Sequence, residues 1–314
     1  YALYFFTVSI IMRLGSARIM EAVSVSGIIK QFTFQILTFI DSMFGPSMWM
    51  KIYYSFSQLS VLSCIIGLLL VILFYKTQEN DRRRYDPKII MSFLVIVLVS
   101  FLMYAFTGRY PQIAFNLGNR VTIFGSLLVS YLIVLLPASK QIKALVFAVS
   151  IFAILGISDH WKDWNLDQQR IIENIRGNKE LQNYRSDKAI YVSGNQYSKY
   201  GPISHIEFFS ESWMSDSIFT MALEKKVSTR AFSKRHRFDG SRMIDTKYST
   251  SEKISGYINV YDSERDKLFR LKPEKINDHI DSLPPDKRHW IQIVDVKFIK
   301  DAVRKLMPRL KYAL

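Results

Sequence analysis

The stretch Thr107-Gly-Arg-Tyr-Pro-Gln-Ile-Ala-Phe-Asn-Leu-Gly-Asn-Arg120 lies between two long apolar runs and carries two arginines, Arg109 and Arg120. A guanidinium is a planar fork of donors that matches a phosphate. Asn116 and Asn119 add neutral donors, and Gly118 lets the backbone approach a ligand closely. The chemistry such a set suits is the grip of a phosphate at a membrane surface, with Arg109, Arg120 and Asn119 as its candidates. The competing reading is that both arginines extend to lipid headgroups.

A second polar set follows a β-rich run: Gly194-Asn-Gln-Tyr-Ser-Lys-Tyr-Gly-Pro-Ile-Ser-His-Ile-Glu207. Ligands of α/β domains commonly sit in loops after strands, so Asn195, Tyr197, His205 and Glu207 are candidates for binding the hydroxyls of a sugar acceptor. Against this, Ser204 and Glu207 have capping-box spacing and would start a helix without any ligand. The five histidines have no metal-ligand spacing, and no metal site is expected. Lys234-Arg235-His236-Arg237 reads as a solvated basic face or as a contact for anionic lipid. There is no phosphate-binding glycine loop, nucleophile elbow or zinc motif, and no cofactor is expected.

The elements that must position these residues divide near Ile157. Residues 1–157 hold 13 Lys and Arg against 5 Asp and Glu, whereas residues 158–314 hold 29 against 22. Scarce acids and long apolar runs describe a lipid-facing half, and dense mixed charge a solvated one. The overall charge of +15 follows from loop positions in the first half and mixed charge in the second, so nucleic acid is not the expected partner. Spans of about 20 apolar residues are expected near 1–12, 56–75, 89–106, 121–136 and 142–157. Ile28–Ile40 is apolar but carries Lys30 and runs into Asp41, Gly45 and Pro46; an interfacial or re-entrant helix is expected there, with a true span as the alternative. The chain opens on Tyr1-Ala2-Leu3-Tyr4 inside an apolar run, and the expectation is that an N-terminal part precedes it.

The three arginines within Lys76–Lys88 make it the most basic short connection, so it is expected in the cytoplasm. Counting spans forward puts 107–120 outside, the Lys140 hairpin inside and everything after Ile157 outside. Trp161 and Trp164 suit an interfacial belt. The single cysteine, Cys64, excludes an intrachain disulfide, so the tail needs a core of its own, which about 155 residues can supply.

Within the tail, residues 164–183 read as a helical stalk, Lys188–Ser193 as a strand, Ile203–Glu224 as a helix and Val227–Phe232 as a second strand. Ile254–Tyr261 and Lys267–Leu271 read as a hairpin, Trp290–Val294 as a last strand and Val296–Tyr312 as a closing helix. Strand, helix, strand in that order predicts a parallel βαβ start. The expected fold is a polytopic α-helical membrane domain (1–157) followed by a small soluble α/β domain (158–314).

An arginine opening a late span, an inside hairpin, a last span and an external α/β tail together resemble the C-terminal half of GT-C-type membrane glycosyltransferases. The resemblance is architectural, with Gly118-Asn-Arg120-Val as its local motif. It implies a polyprenyl-phosphate-linked sugar as substrate, Arg120 on the lipid phosphate with Arg109 as helper, and an inner-membrane location with the tail periplasmic or extracellular. It places the catalytic carboxylate in a first external loop, which this sequence does not contain, so no catalytic residue is assigned. The alternative is a non-enzymatic membrane subunit whose external domain binds a partner protein. Few ionisable groups lie within the spans, which speaks against a transporter.

Overall fold

A computed structural model describes residues 25–78, 86–107, 113–115, 117–135, 137–185, 188–246, 248, 250–285, 290–293 and 296–306. The expected span at 1–12 lies outside them. The chain divides into two compact units, Tyr1–Gly156 and Ile157–Leu314.

In the first unit, α1 (Val25–Met43) and α2 (Pro46–Phe56) meet at a sharp turn that the sequence builds locally. Gly45 is the residue before α2 and Pro46 its first residue, where a missing N–H costs nothing. Asp41 completes the turn, accepting from the Ser47 backbone N–H at 3.3 Å and from its hydroxyl at 2.5 Å. The apolar helix α3 (Val61–Thr77) starts on Ser60, whose hydroxyl accepts from Ser63 N. Helices α4 (Pro87–Thr107), α5 (Ile123–Leu135) and α6 (Lys140–Gly177) follow, and a 3₁₀ turn over Leu117–Thr122 leads into α5.

Phe39 of α1 is buried with Val97 and Phe101 of α4 and Leu128 of α5, and its ring meets Phe101 edge-on at 5.3 Å. The segment around Ile28–Ile40 is thus one side of a three-helix contact. By length and composition, Pro87–Phe106 and α6 can cross a membrane. The pair α1–α2 and α3, bent by 113°, is a third if taken as one span. α5 is shorter, because the residues before it wind as the 3₁₀ turn. Val61, Leu62, Leu68, Leu69 and Leu73 of α3 are exposed, an apolar surface suited to lipid.

The second unit is an α/β fold. Strands β1 (Ile190–Ser193), β4 (Thr229–Ala231), β8 (Ile258–Asp262) and β9 (Lys267–Leu271) form a sheet in the order β4-β1-β8-β9. β1 runs parallel to both β4 and β8, and β8 runs antiparallel to β9. A hairpin of β2 (Tyr197–Tyr200) and β3 (Ile203–Glu207) lies between β1 and α8 (Ser212–Leu223), which returns the chain to β4. A short α7 (Lys179–Gln182) precedes β1, and an antiparallel sheet of β5 (His236–Phe238), β6 (Arg242–Asp245) and β7 (Thr250–Lys253) lies between β4 and β8 in sequence. Helices α9 (Ile276–Ser282), α10 (Trp290–Ile293) and α11 (Lys297–Leu306) complete it.

Alternation along β1 divides the core. Ile190 and Val192 join Ile175, Phe209 and Phe219 on one side, and Tyr191 joins Phe232, Val260 and Ile280 on the other.

Several expectations are corrected. The reading of Ile203–Glu224 as one helix fails over its first five residues, which form β3. The Gly201-Pro202 turn, with Gly201 at φ +60°, folds them back on Tyr197–Tyr200, and the ladder satisfies the backbone groups a helix would have used. The capping box at Ser204 and Glu207 is therefore not formed, and the helix starts at Ser212. Residues 164–183 are no stalk. Ile171 and Ile175 are core residues on α6, and Trp164 packs edge-on against Phe208 at 6.1 Å, so it is an anchor of the tail's interior and not an interfacial tryptophan. Trp290–Ile293 is helical, not a strand, because it pairs with neither edge of the four-stranded sheet.

Candidate functional site

The first candidate set belongs to the membrane-type unit. Arg109 lies outside the described residues. Asn119 and Arg120 fall in the 3₁₀ turn that opens α5, where the Asn119 carbonyl accepts from the Thr122 hydroxyl at 2.6 Å; the Arg120 side chain is not among those described. A cation that the sequence pattern did not single out stands on the preceding stretch. Lys51, from the middle of α2, donates its ammonium to the carbonyl of Ala114 and lies 5.9 Å from the centre of the Phe115 ring. Ala114 and Phe115 are both buried. One lysine from α2 thus secures the segment that leads, four residues later, to Asn119 and Arg120. Its signal in the sequence is a lone charge in Trp49-Met-Lys-Ile-Tyr-Tyr54.

The second set was expected at the carboxyl end of β1. In an open sheet the strand order reverses about such a central strand, and the crevice there is the usual place for a ligand. The carboxyl ends of β1, β4 and β8 do meet a crevice lined by Asn195, Tyr197, Lys199, Ser233 and Glu264, under Leu283, Pro284 and Pro285. Gly194 and Asn195 both take positive φ, 77° and 46°, to make the turn. Protein groups fill the space. Asn195 donates to the Ser263 hydroxyl at 3.2 Å, Ser263 donates to the Ser193 carbonyl at 2.9 Å, and Gln196 donates to the Phe232 carbonyl at 2.7 Å. About 50 Å³ is left, against roughly 300 Å³ or more for a ligand pocket. Asn195 and Tyr197 are brought together here, but His205 and Glu207 are not part of the lining. His205 is fully buried, with its ring 5.5 Å from that of His160 and 5.4 Å from that of Tyr200. Glu207 faces Tyr197 across the β2–β3 ladder.

A larger cavity, about 650 Å³, lies instead among β1, β4, the start of α8 and the β5–β6–β7 sheet. At its centre is Arg235. Its guanidinium donates from Nη1 and Nη2 to the two Glu211 carboxylate oxygens, at 3.3 and 3.2 Å, and Nη2 lies 3.0 Å from Asp245 Oδ2. Nη1 also donates to the Ser210 carbonyl at 3.0 Å. Each of these three side chains is only 12 to 14% exposed. The reading of Lys234–Arg237 as a solvated basic face therefore fails at Arg235 and His236: two buried carboxylates draw the guanidinium inward, and a bidentate partner offsets its desolvation.

The walls carry further polar and aromatic groups. Tyr248 donates its hydroxyl to Glu211 Oε1 at 3.0 Å, and its ring lies 5.5 Å from the Arg235 guanidinium. Arg230 pairs with Glu252 at 3.0 Å, and Tyr191 donates to the same carboxylate oxygen at 3.4 Å. Burial first, and then the Glu252 charge, push the Tyr191 phenol above its ordinary range. His236 has its proton affinity lowered by burial, partly opposed by the Asp245 carboxylate 3.7 Å from Nε2. Trp213 stands on the rim, 69% exposed.

No family model matches this chain, nor does any curated protein or solved structure. Its functional reading rests on its own residues. Sequence reasoning missed this cavity because its charged groups, Glu211, Arg230, Arg235, Asp245 and Glu252, are scattered along the chain. What was visible locally was the basic run at 234–237.

Proposed function

We propose that this chain is a polytopic membrane glycosyltransferase-like protein that uses a polyprenyl-phosphate-linked sugar at the outer face of an inner membrane. Asn119 and Arg120, with Arg109, hold the lipid phosphate. The observation that carries the reading is the anchoring of the 114–115 segment by Lys51, shortly before the 3₁₀ turn that holds Asn119 and opens an apolar helix. Positive charge is ordinarily depleted from short external loops, and a phosphate offers a reason for it. The apolar α4 and α6 supply the membrane body. In this reading the arginine-rich 76–88 connection is cytoplasmic, and the second unit is periplasmic or extracellular.

Arg120 provides the test. With a phosphate gripped by two parallel bonds, Arg120→Lys impairs modification of the cell's surface glycan, since a point charge loses the fork. Arg120→Ala impairs it further, because hydrogen bonds to charged groups contribute about 1.5–3 kcal/mol. If the arginine only reaches for headgroups, lysine replaces it fully. Wild-type glycan in both variants at matched expression contradicts the phosphate role.

A further inference from the structure

We propose that the cavity around Arg235 is a saccharide-binding cleft, with Trp213 and Tyr248 packing on the sugar rings and Glu211, Asp245 and Glu252 accepting from their hydroxyls.

Three observations lead there. The first is size: about 650 Å³ falls in the range of pockets that enclose a small ligand. The second is charge. Three carboxylates (Glu211, Asp245, Glu252) face two guanidinium groups (Arg230, Arg235), and both guanidinium groups are already in ion pairs. A phosphate or nucleotide would have to displace those partners, so an anionic ligand is disfavoured. A neutral, hydroxyl-rich ligand asks for no such exchange. Carboxylates accept several hydrogen bonds each, and the Arg235 fork holds Glu211 through both oxygens, so that side chain has little freedom left to lose on binding.

The third observation is the pairing of aromatic surface with those acceptors. Trp213 and Tyr248 are 69 and 53% exposed and border the same space. A sugar presents C–H faces and hydroxyl edges at once, and an aromatic face beside carboxylates matches both. Ser212, Thr250 and Ser251 add hydroxyl groups to the lining. That the bound sugar belongs to the glycan on which the protein acts rests on the proposed function. The chemistry of the cleft does not.

Binding is measured on the detergent-solubilised full chain by tryptophan emission and by calorimetry. The probes are tetrasaccharides of glucose, mannose and N-acetylglucosamine, with tetralysine and inorganic phosphate as comparisons. The expected result is saturable binding of at least one tetrasaccharide. Trp213→Ala weakens it about tenfold, the loss of one aromatic face, and this exposed position leaves folding intact. Glu211→Gln weakens it as well, whereas Arg120→Ala leaves it unchanged. Absence of saturable binding with every tetrasaccharide overturns the proposal, as does binding that ignores Trp213→Ala, or tetralysine or phosphate binding in their place. If Arg120→Ala retains polyprenyl-phosphate binding while the tetrasaccharide results hold, the lipid-phosphate reading fails and the cleft stands.

Discussion

His236 and His279 are both placed where burial opposes protonation. His236 lies between Ser233 and Asp245, with Arg235 and Glu211 also acting on it. The His279 ring stacks on Phe232 at 5.7 Å and meets Phe269 at 5.6 Å, with Asp262 and Arg265 as its charged neighbours. For each, desolvation is the leading cause and moves the folded-state value down from the ordinary one near 6.5. Above about pH 6.5 both rings are neutral in the folded and unfolded chain, and stability is complete. As pH falls below that value the unfolded chain takes up protons first, so stability is lost progressively toward the folded-state values. The melting temperature of the second unit is therefore expected to drop between pH 7.5 and 5.5, and His279→Phe to shrink the drop. A melting temperature flat across that window contradicts neutral burial. Residue types alone did not disclose this: His236 sits in a run of Lys and Arg, and only the carboxylates of distant Glu211 and Asp245 turn that run inward.

At the scale of elements, the pieces fixed by local chemistry were legible and those fixed by distant partners were not. Lys188–Ser193 and Lys267–Leu271 carry β-rich patterns with turn residues beside them, and β1 and β9 lie within those bounds. The parallel pairing of β1 and β4 through α8 follows from the strand–helix–strand order. The β2–β3 hairpin was hidden because Ile203, Ile206 and Phe209 also recur at the three-residue spacing of a helix, and the Gly201-Pro202 turn decides between the two. Helix contacts in the first unit depend on glycines for close approach. At Gly156 of α6, an added Cβ would meet the backbone carbonyl of Ser55 in α2, which cannot swing aside as a side chain can. Gly156→Val is expected to cost about 2 kcal/mol by overpacking, read as a lowered melting temperature in detergent. Gly177→Val, at a position with open space around it, should cost less. Equal losses would contradict the close crossing of α2 and α6.

For the whole molecule, the two compact units divide at residue 157, where the charge density of the sequence also changes. The cleft was not readable, because its residues are spread from Tyr191 to Glu252 and meet only when the two sheets form. Orientation is testable on a chain with Cys64→Ser. Asn80→Cys should resist a membrane-impermeant maleimide added to intact cells, and Gly240→Cys should react. The reverse pattern would contradict the assignment of the arginine-rich connection to the cytoplasm.

The most direct measurement of the central claim is binding of a polyprenyl phosphate to the purified protein in detergent, with the non-phosphorylated polyprenol as comparison. The phosphate form is expected to bind, with no competition from the polyprenol. Arg120→Ala is expected to weaken binding by about tenfold or more, the equivalent of losing one charged hydrogen bond. Equal binding of phosphate and alcohol, or full retention of phosphate binding by Arg120→Ala, would contradict it.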